Sequence, residues 1–136
     1  MTQLSAYLTF NGNCKEAMEF YKACLGGELT LNTVGESPMA ASMPDKKDQI
    51  LHSMLKSDAI ILMASDMVMA GEVKPGNTVT LCIHGGTKEE LQTFFTKLSE
   101  GGKVTHELKE EFFGTYGDLT DKYGFQWAFQ ADTQQS

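Results

Sequence analysis

Apolar and polar residues alternate from Leu4 to Phe10, with Ala6, Leu8 and Phe10 on one side and Tyr7 and Thr9 on the other, the pattern of a short strand. The period then lengthens. Ala17, Phe20, Tyr21 and Cys24 recur at helical spacing and predict an amphipathic helix running to about Leu25. Asn13, followed three residues on by Glu16, supplies a capping-box start, and Gly26-Gly27 supply a left-handed stop. Residues 28–34 read as a second strand, and 50–56 with 59–64 as a hairpin turning at Ser57-Asp58. The polar stretch from Gly35 to Gln49, interrupted by Pro38 and Pro44, is too long for a hairpin turn and reads as a flexible flap.

The second half repeats this order. Val79, Leu81 and Ile83 alternate with Thr78, Thr80 and Cys82, Thr87 and Glu90 repeat the capping box, and Leu91, Phe94, Phe95 and Leu98 repeat the stripe. A shift of 74 residues lays Phe20-Tyr21 on Phe94-Phe95 and Gly27 on Gly101. Strands at 103–110, 116–120 and 125–130 follow, the last two joined by Asp121 to Gly124, and a frayed polar tail starts at Ala131. Each helix has one apolar stripe, so it covers one face of its sheet and leaves the other open. The expected fold class is α+β: two tandem βαβββ modules forming a curved mixed sheet around a shared cavity. Module one spans 1–70, the linker 71–76 and module two 77–131.

Composition narrows the partners. A 136-residue chain with 41% hydrophobic and 21% charged residues suits one globular domain. A net charge of -7 offers no basic surface for nucleic acid. No apolar run reaches the ~20 residues needed to cross a bilayer, and the N-terminus lacks a signal pattern. Cys14, Cys24 and Cys82 form no CxxC, and the first two stand about 15 Å apart along one helix, too far for a bridge. A reduced, cytoplasmic setting is expected.

Certain segments are more specific. The helix from Asn13 to Gly27 and the closing Asp121-Lys122-Tyr123-Gly124-Phe125-Gln126-Trp127 resemble the glyoxalase, bleomycin-resistance and extradiol-dioxygenase superfamily, the vicinal-oxygen-chelate fold. The stretches YLTFNGNCKEAMEFYKACLGGEL, VGESPM and FGTYGDLTDKYGFQW resemble its PhnB-like subgroup, labelled as related to 3-demethylubiquinone methyltransferase. The resemblance implies a cavity and, in the superfamily's enzymes, a divalent metal held by one side chain from the first and last strand of each half. Matched motif to motif, those positions fall on Ala6, Met63, Thr80 and Ala128. None is a convincing ligand for a hard cation, so neither metal nor other cofactor is expected. The resemblance also implies a homodimer.

Within such a cavity, His52 is the candidate acid or base, with Glu110 or Asp118 as its carboxylate partner, though an edge position explains it as well. A displaced metal site would need His52 with Glu110 or Glu111, and no HxxxH or HExxH spacing supports one. Phe113 and Tyr116 suit stacking on a planar guest, or core packing. Trp127 and Phe125 are expected under a helix, leaving Gln126 towards the cavity beside Ala128, with Thr78 and Thr80 on the same surface and Ala6, Leu8 and Met63 lining the other half. His84 and His106 read as exposed. Of the eight methionines, Met39, Met43, Met54, Met63, Met67 and Met69 bracket the flap, hairpin and linker, where soft packing or a soft groove would use them. Cys14 lies at a helix start, which lowers a thiol pKa, but no histidine is near it in sequence.

Two functions follow. One is a metal-free small-molecule binding protein whose flap orders over its guest. The alternative is a lyase or isomerase acting on a small oxygen-rich metabolite, metal-dependent only through a displaced site at His52.

Overall fold

The first unit of the chain, Met1–Lys74, is one mixed sheet with a helix laid across it. A computed structural model describes residues 2–67 and 72–132, so Met69 and the linker's first residue, Gly71, lie outside the described residues. Strand β1 (Ala6–Phe10) leads into helix α1 (Cys14–Leu25), then β2 (Glu28–Thr33), β3 (Ile50–Lys56) and β4 (Ile61–Asp66). The sheet order is β1-β4-β3-β2, with β1 parallel to β4 and the other pairs antiparallel. One face is dry. Leu8 and Phe10 of β1, Leu62 and Ala64 of β4, and Ser53 and Leu55 of β3 share it through the register and are buried together with Ala17, Met18, Tyr21 and Cys24 of α1. Burying each such large side chain stabilises by roughly 1.5–3 kcal/mol, which sets the register firmly, because a one-residue slip would turn the whole set outward.

The second unit, Pro75–Ser136, repeats the plan. It runs β5 (Leu81–His84), α2 (Lys88–Leu98), β6 (Lys103–Glu111), β7 (Gly114–Thr120) and β8 (Gln126–Asp132), in sheet order β5-β8-β7-β6. Phe95 of α2 meets Phe129 of β8 edge to face, with ring centroids 5.2 Å apart, and Leu91, Leu98, Leu119 and Trp127 are buried around them. Each unit is thus a βαβββ module with a mixed sheet. Ala131, expected in a frayed tail, is the buried penultimate residue of β8.

Two expectations at the helix ends divide. The Thr87–Glu90 capping box is present on α2. Asn13 makes no side-chain hydrogen bond to α1. Asp66 takes over, its Oδ1 accepting the amides of Gly12 at 2.8 Å and Cys14 at 3.0 Å and its Oδ2 that of Ile50 at 2.8 Å. The stretch between β2 and β3 is built, not open. It holds two short 3₁₀ turns, Val34–Glu36 and Pro44–Lys46, and is closed at its base by Val34 N–H to Gln49 O and Gly35 N–H to Lys47 O. A side chain at 35 would collide with the Lys47 carbonyl, so glycine is needed for that clasp.

Candidate functional site

The face of the second sheet away from α2 carries the densest polar chemistry. Tyr116, Asp118 and Thr120 alternate along β7, with Gln126, Ala128 and Gln130 opposite them on β8. Asp118 is the hub. Its Oδ2 accepts the Tyr116 hydroxyl at 2.7 Å, and its Oδ1 accepts His106 Nδ1–H at 2.8 Å. The hydrogen bond to Asp118, then burial, then the negative charges of Asp118 and Cys82, push the Tyr116 hydroxyl up to about 12, so it stays a donor. Beside this chain lies a pocket of about 150 Å³, bordered by Thr80, Thr105, Thr120 and Gln126 as well as Tyr116 and Asp118. Gln126 is steadied by its amide N–H, which donates to Gly76 O at 3.2 Å.

His106 reaches this face because β6 is irregular. Its register shifts between Val104 and His106 and again between His106 and Lys109. Val104 pairs with buried Leu119 and His106 with open-face Asp118, whereas unbroken alternation would keep 104 and 106 on one side. The second shift returns Leu108 to the covered face, where its backbone sits in the space a side chain at Gly117 would need. Glu110, expected to act with His52, is paired with Thr115 on the covered side of the register and is exposed at the sheet edge. It therefore stands apart from Asp118.

On the open face of the first sheet, Tyr7 and His52 are hydrogen-bonded, Tyr7 Oη to His52 Nδ1 at 3.2 Å, with Met63 and Met54 on the strands between and beside them. Ala6 and Leu8 are on the opposite, helix-covered side, and Leu8 belongs to the core. The strand's phase explains this correction: Leu8 and Phe10 need the dry face, so Tyr7 turns outward. In the second unit the same need buries Leu81 and Ile83 partway and turns Cys82 outward, as the Cα partner of Ala128. Thr80 borders the pocket from just before β5, and Thr78 is exposed in the segment that precedes it. Phe113 is half-exposed at the β6–β7 turn and touches the Tyr116 ring, with centroids 6.3 Å apart.

First- and last-strand neighbours on the open faces are thus Tyr7 with Met63, and Cys82 with Ala128. Each pair offers a single oxygen or thiol donor beside a thioether or a methyl, and burial raises the Cys82 thiol. That donor set does not fit a hard divalent cation. Among the described residues no three His, Cys, Asp or Glu side chains are grouped to hold a metal. Cys14 is buried and its thiol is not activated by its position. Burial, with the Asp66 charge adding, pushes its thiol up to about 12 despite its place at a helix start and its contact with Ser53. No helix among the described residues is long and apolar enough to cross a membrane.

A sheet of this connectivity, laid down twice with an open face in each copy, is a fold shared with solved glyoxalase-related and glyoxalase/bleomycin-resistance proteins, which match at 12% to 16% identity with TM-scores of 0.57 to 0.65, a likeness of fold. Within that class the chain belongs to the family described as 3-demethylubiquinone-9 3-methyltransferase, whose model matches residues 2–130. It is 30% identical to Protein YjdN of Escherichia coli, over 97% of both chains. The crystal structure of PA1353 from Pseudomonas aeruginosa is similar at 34% identity and a TM-score of 0.86, covering 97% of this chain and 98% of that one. The PhnB protein of Bacillus cereus is similar at 25% identity and a TM-score of 0.77, covering 96% and 99%.

Proposed function

We propose that this protein binds a small molecule, without a metal, on the open sheet face that carries Tyr116, Asp118, Thr80 and Gln126. One observation carries the reading: a pocket of about 150 Å³ sits beside a preassembled His106–Asp118–Tyr116 chain on an open sheet face. Phe113, Ala128 and Thr78 extend that surface, and Met63 with the Tyr7–His52 pair forms its counterpart in the first module. From the superfamily resemblance we further propose that the sheets curve about one cavity, that the clasped 35–49 segment closes over the guest, and that two chains pair as a homodimer.

A lyase or isomerase reading keeps one support, the hydrogen-bonded Asp118 hub as an acid–base pair with His106, now in place of His52 with Glu110. A fragment screen read by backbone amide shifts in the full chain tests the binding reading. Shifts should converge on residues 116–118 and 126–128. Saturating shifts confined to other surfaces would overturn it.

A further inference from the structure

The pocket's charge inventory is lopsided: Asp118 is the one charged side chain among the described residues that lines it, while Thr80, Thr105 and Thr120 add hydroxyls that can donate or accept. Asp118 spends one lone pair of each oxygen on His106 and Tyr116, and a carboxylate has about four such positions, so acceptor capacity remains on both oxygens. Gln126 commits one amide N–H to Gly76, leaving its second N–H and its carbonyl oxygen. The Tyr116 hydroxyl already donates its O–H to Asp118 and presents only its oxygen to the pocket. Neither lysine nor arginine lines the pocket. Lys103 and Lys109 of β6 pair with Thr120 and Tyr116, but neither lines the pocket and Lys109 Nζ lies 3.8 Å from Glu111. The cationic candidate that touches Asp118 is His106, whose side chain is 68% exposed against 22% for Asp118, so the carboxylate is partly sunk beside an imidazole that mostly faces water. The volume of about 150 Å³ corresponds to roughly five waters, enough for a small planar head and not for a whole large ligand. An aromatic path leads outward, from Tyr116 to Phe113 and then to Phe112, which is 94% exposed, with Phe112 and Phe113 centroids 5.1 Å apart.

We propose that this pocket receives the planar nitrogen cation of an amidinium-bearing aromatic ligand, with Asp118 as its anion and the Tyr116–Phe113 pair stacking on its body. The proposal rests on the reading that this pocket is the binding site. A cation with several N–H donors satisfies the unused acceptors together, and the planar fork matches a carboxylate. A carboxylate-bearing ligand would face Asp118 with like charge and find the Tyr116 O–H already donated to Asp118.

Titration of the full chain with benzamidine, benzamide and benzoate, followed by backbone amide shifts, tests it. Benzamidine should shift residues 116–118 and 126 and bind about tenfold or more tightly than benzamide, as a charged hydrogen bond replaces a neutral one. Benzoate should leave those amides unmoved. Asp118→Asn should bring benzamidine and benzamide to within about threefold of each other, while Tyr116→Phe, which keeps carboxylate and ring, should preserve the preference. If benzamide or benzoate binds in the pocket as well as benzamidine, the charge assignment falls and the binding site stands. If none of the three moves these residues, both fall. Loss of the preference in Tyr116→Phe alone would also overturn the role given to Asp118.

Discussion

Asp66, the last residue of β4, accepts the backbone amide of Cys14 at 3.0 Å, so the first turn of α1 is capped by a carboxylate 52 residues further along the chain. The same carboxylate takes the amides of Gly12 and Ile50, and only 3% of Asp66 is exposed. It therefore ties three chain segments, the β1–α1 turn, the start of β3 and the end of β4, at one buried point. Three amide donors satisfy a charge that would otherwise be costly to bury.

Removing that point should be severe. Asp66→Ala leaves the buried amides of Cys14 and Ile50 and the part-buried one of Gly12 without that acceptor, and the expected loss is about 3 kcal/mol in urea unfolding. Thr87→Ala, which breaks the capping box of α2, should cost about 1 kcal/mol. Asn13→Ala should change stability by less than about 0.5 kcal/mol, because its side chain caps nothing. A cost for Asn13→Ala equal to that of Thr87→Ala would return the cap to Asn13.

The thiols should differ in both reactivity and linkage. Cys14 and Cys24 are buried and Cys82 is exposed, so a thiol reagent at neutral pH should modify Cys82 in the native protein and reach the other two only on unfolding. Cys14 is raised from an ordinary 9.0 to about 12, chiefly by burial. The folded state then holds its proton where the unfolded state releases it, so stability is full below pH 9 and declines as pH rises towards 12. Cys14→Ala should remove that part of the decline. Identical alkaline slopes of the urea midpoint in both proteins would refute the burial argument.

Tyr116 offers a spectroscopic check on Asp118. Its hydroxyl is raised from 10.0 to about 12 because the neutral phenol donates to the carboxylate. In an absorbance titration at phenolate wavelengths, the component lost in Tyr116→Phe should be the one with a midpoint near 12. In Asp118→Asn that midpoint should move down. A Tyr116 midpoint that Asp118→Asn leaves unmoved would mean that the 2.7 Å hydrogen bond is not formed in solution.

Periodicity made the elements legible. The helical stripe through Ala17, Tyr21 and Cys24 and its copy through Leu91, Phe95 and Leu98 are buried as a 3.6-residue period requires, while Phe20 and Phe94, expected on the same stripes, are only half-buried at their margins. Two things escaped. The 74-residue shift holds through the helices, yet it lays buried Phe10 on exposed His84, because the two first strands enter their helices one residue out of phase. Alternation reads faces within a strand and does not fix that phase. The other is the pairing of His106 with Asp118, hidden by the two register shifts in β6, since an irregularity in a charged strand leaves no apolar residue out of place to announce it. The signal that was available is Tyr116-Gly117-Asp118, two polar groups on one face of a strand whose other face is glycine and leucine.

Asp121 provides the last test, in the turn between β7 and β8. Its Oδ2 accepts Trp127 Nε1–H at 2.8 Å, and its Oδ1 accepts the amides of Tyr123 and Phe125 at 2.8 and 3.0 Å. The turn is thus folded around a buried carboxylate that also orients the indole lying under α2. Because Trp127 is the sole tryptophan, its fluorescence reports this site directly. Asp121→Asn keeps one acceptor oxygen and should cost about 1–2 kcal/mol, while Asp121→Ala strands the indole N–H and both amides and should cost about 3 kcal/mol. In Asp121→Ala the emission should shift to longer wavelength below the unfolding transition, as the indole loses its partner and admits water. An unshifted spectrum with wild-type stability would show that neighbouring contacts, not the carboxylate, hold Trp127 in place.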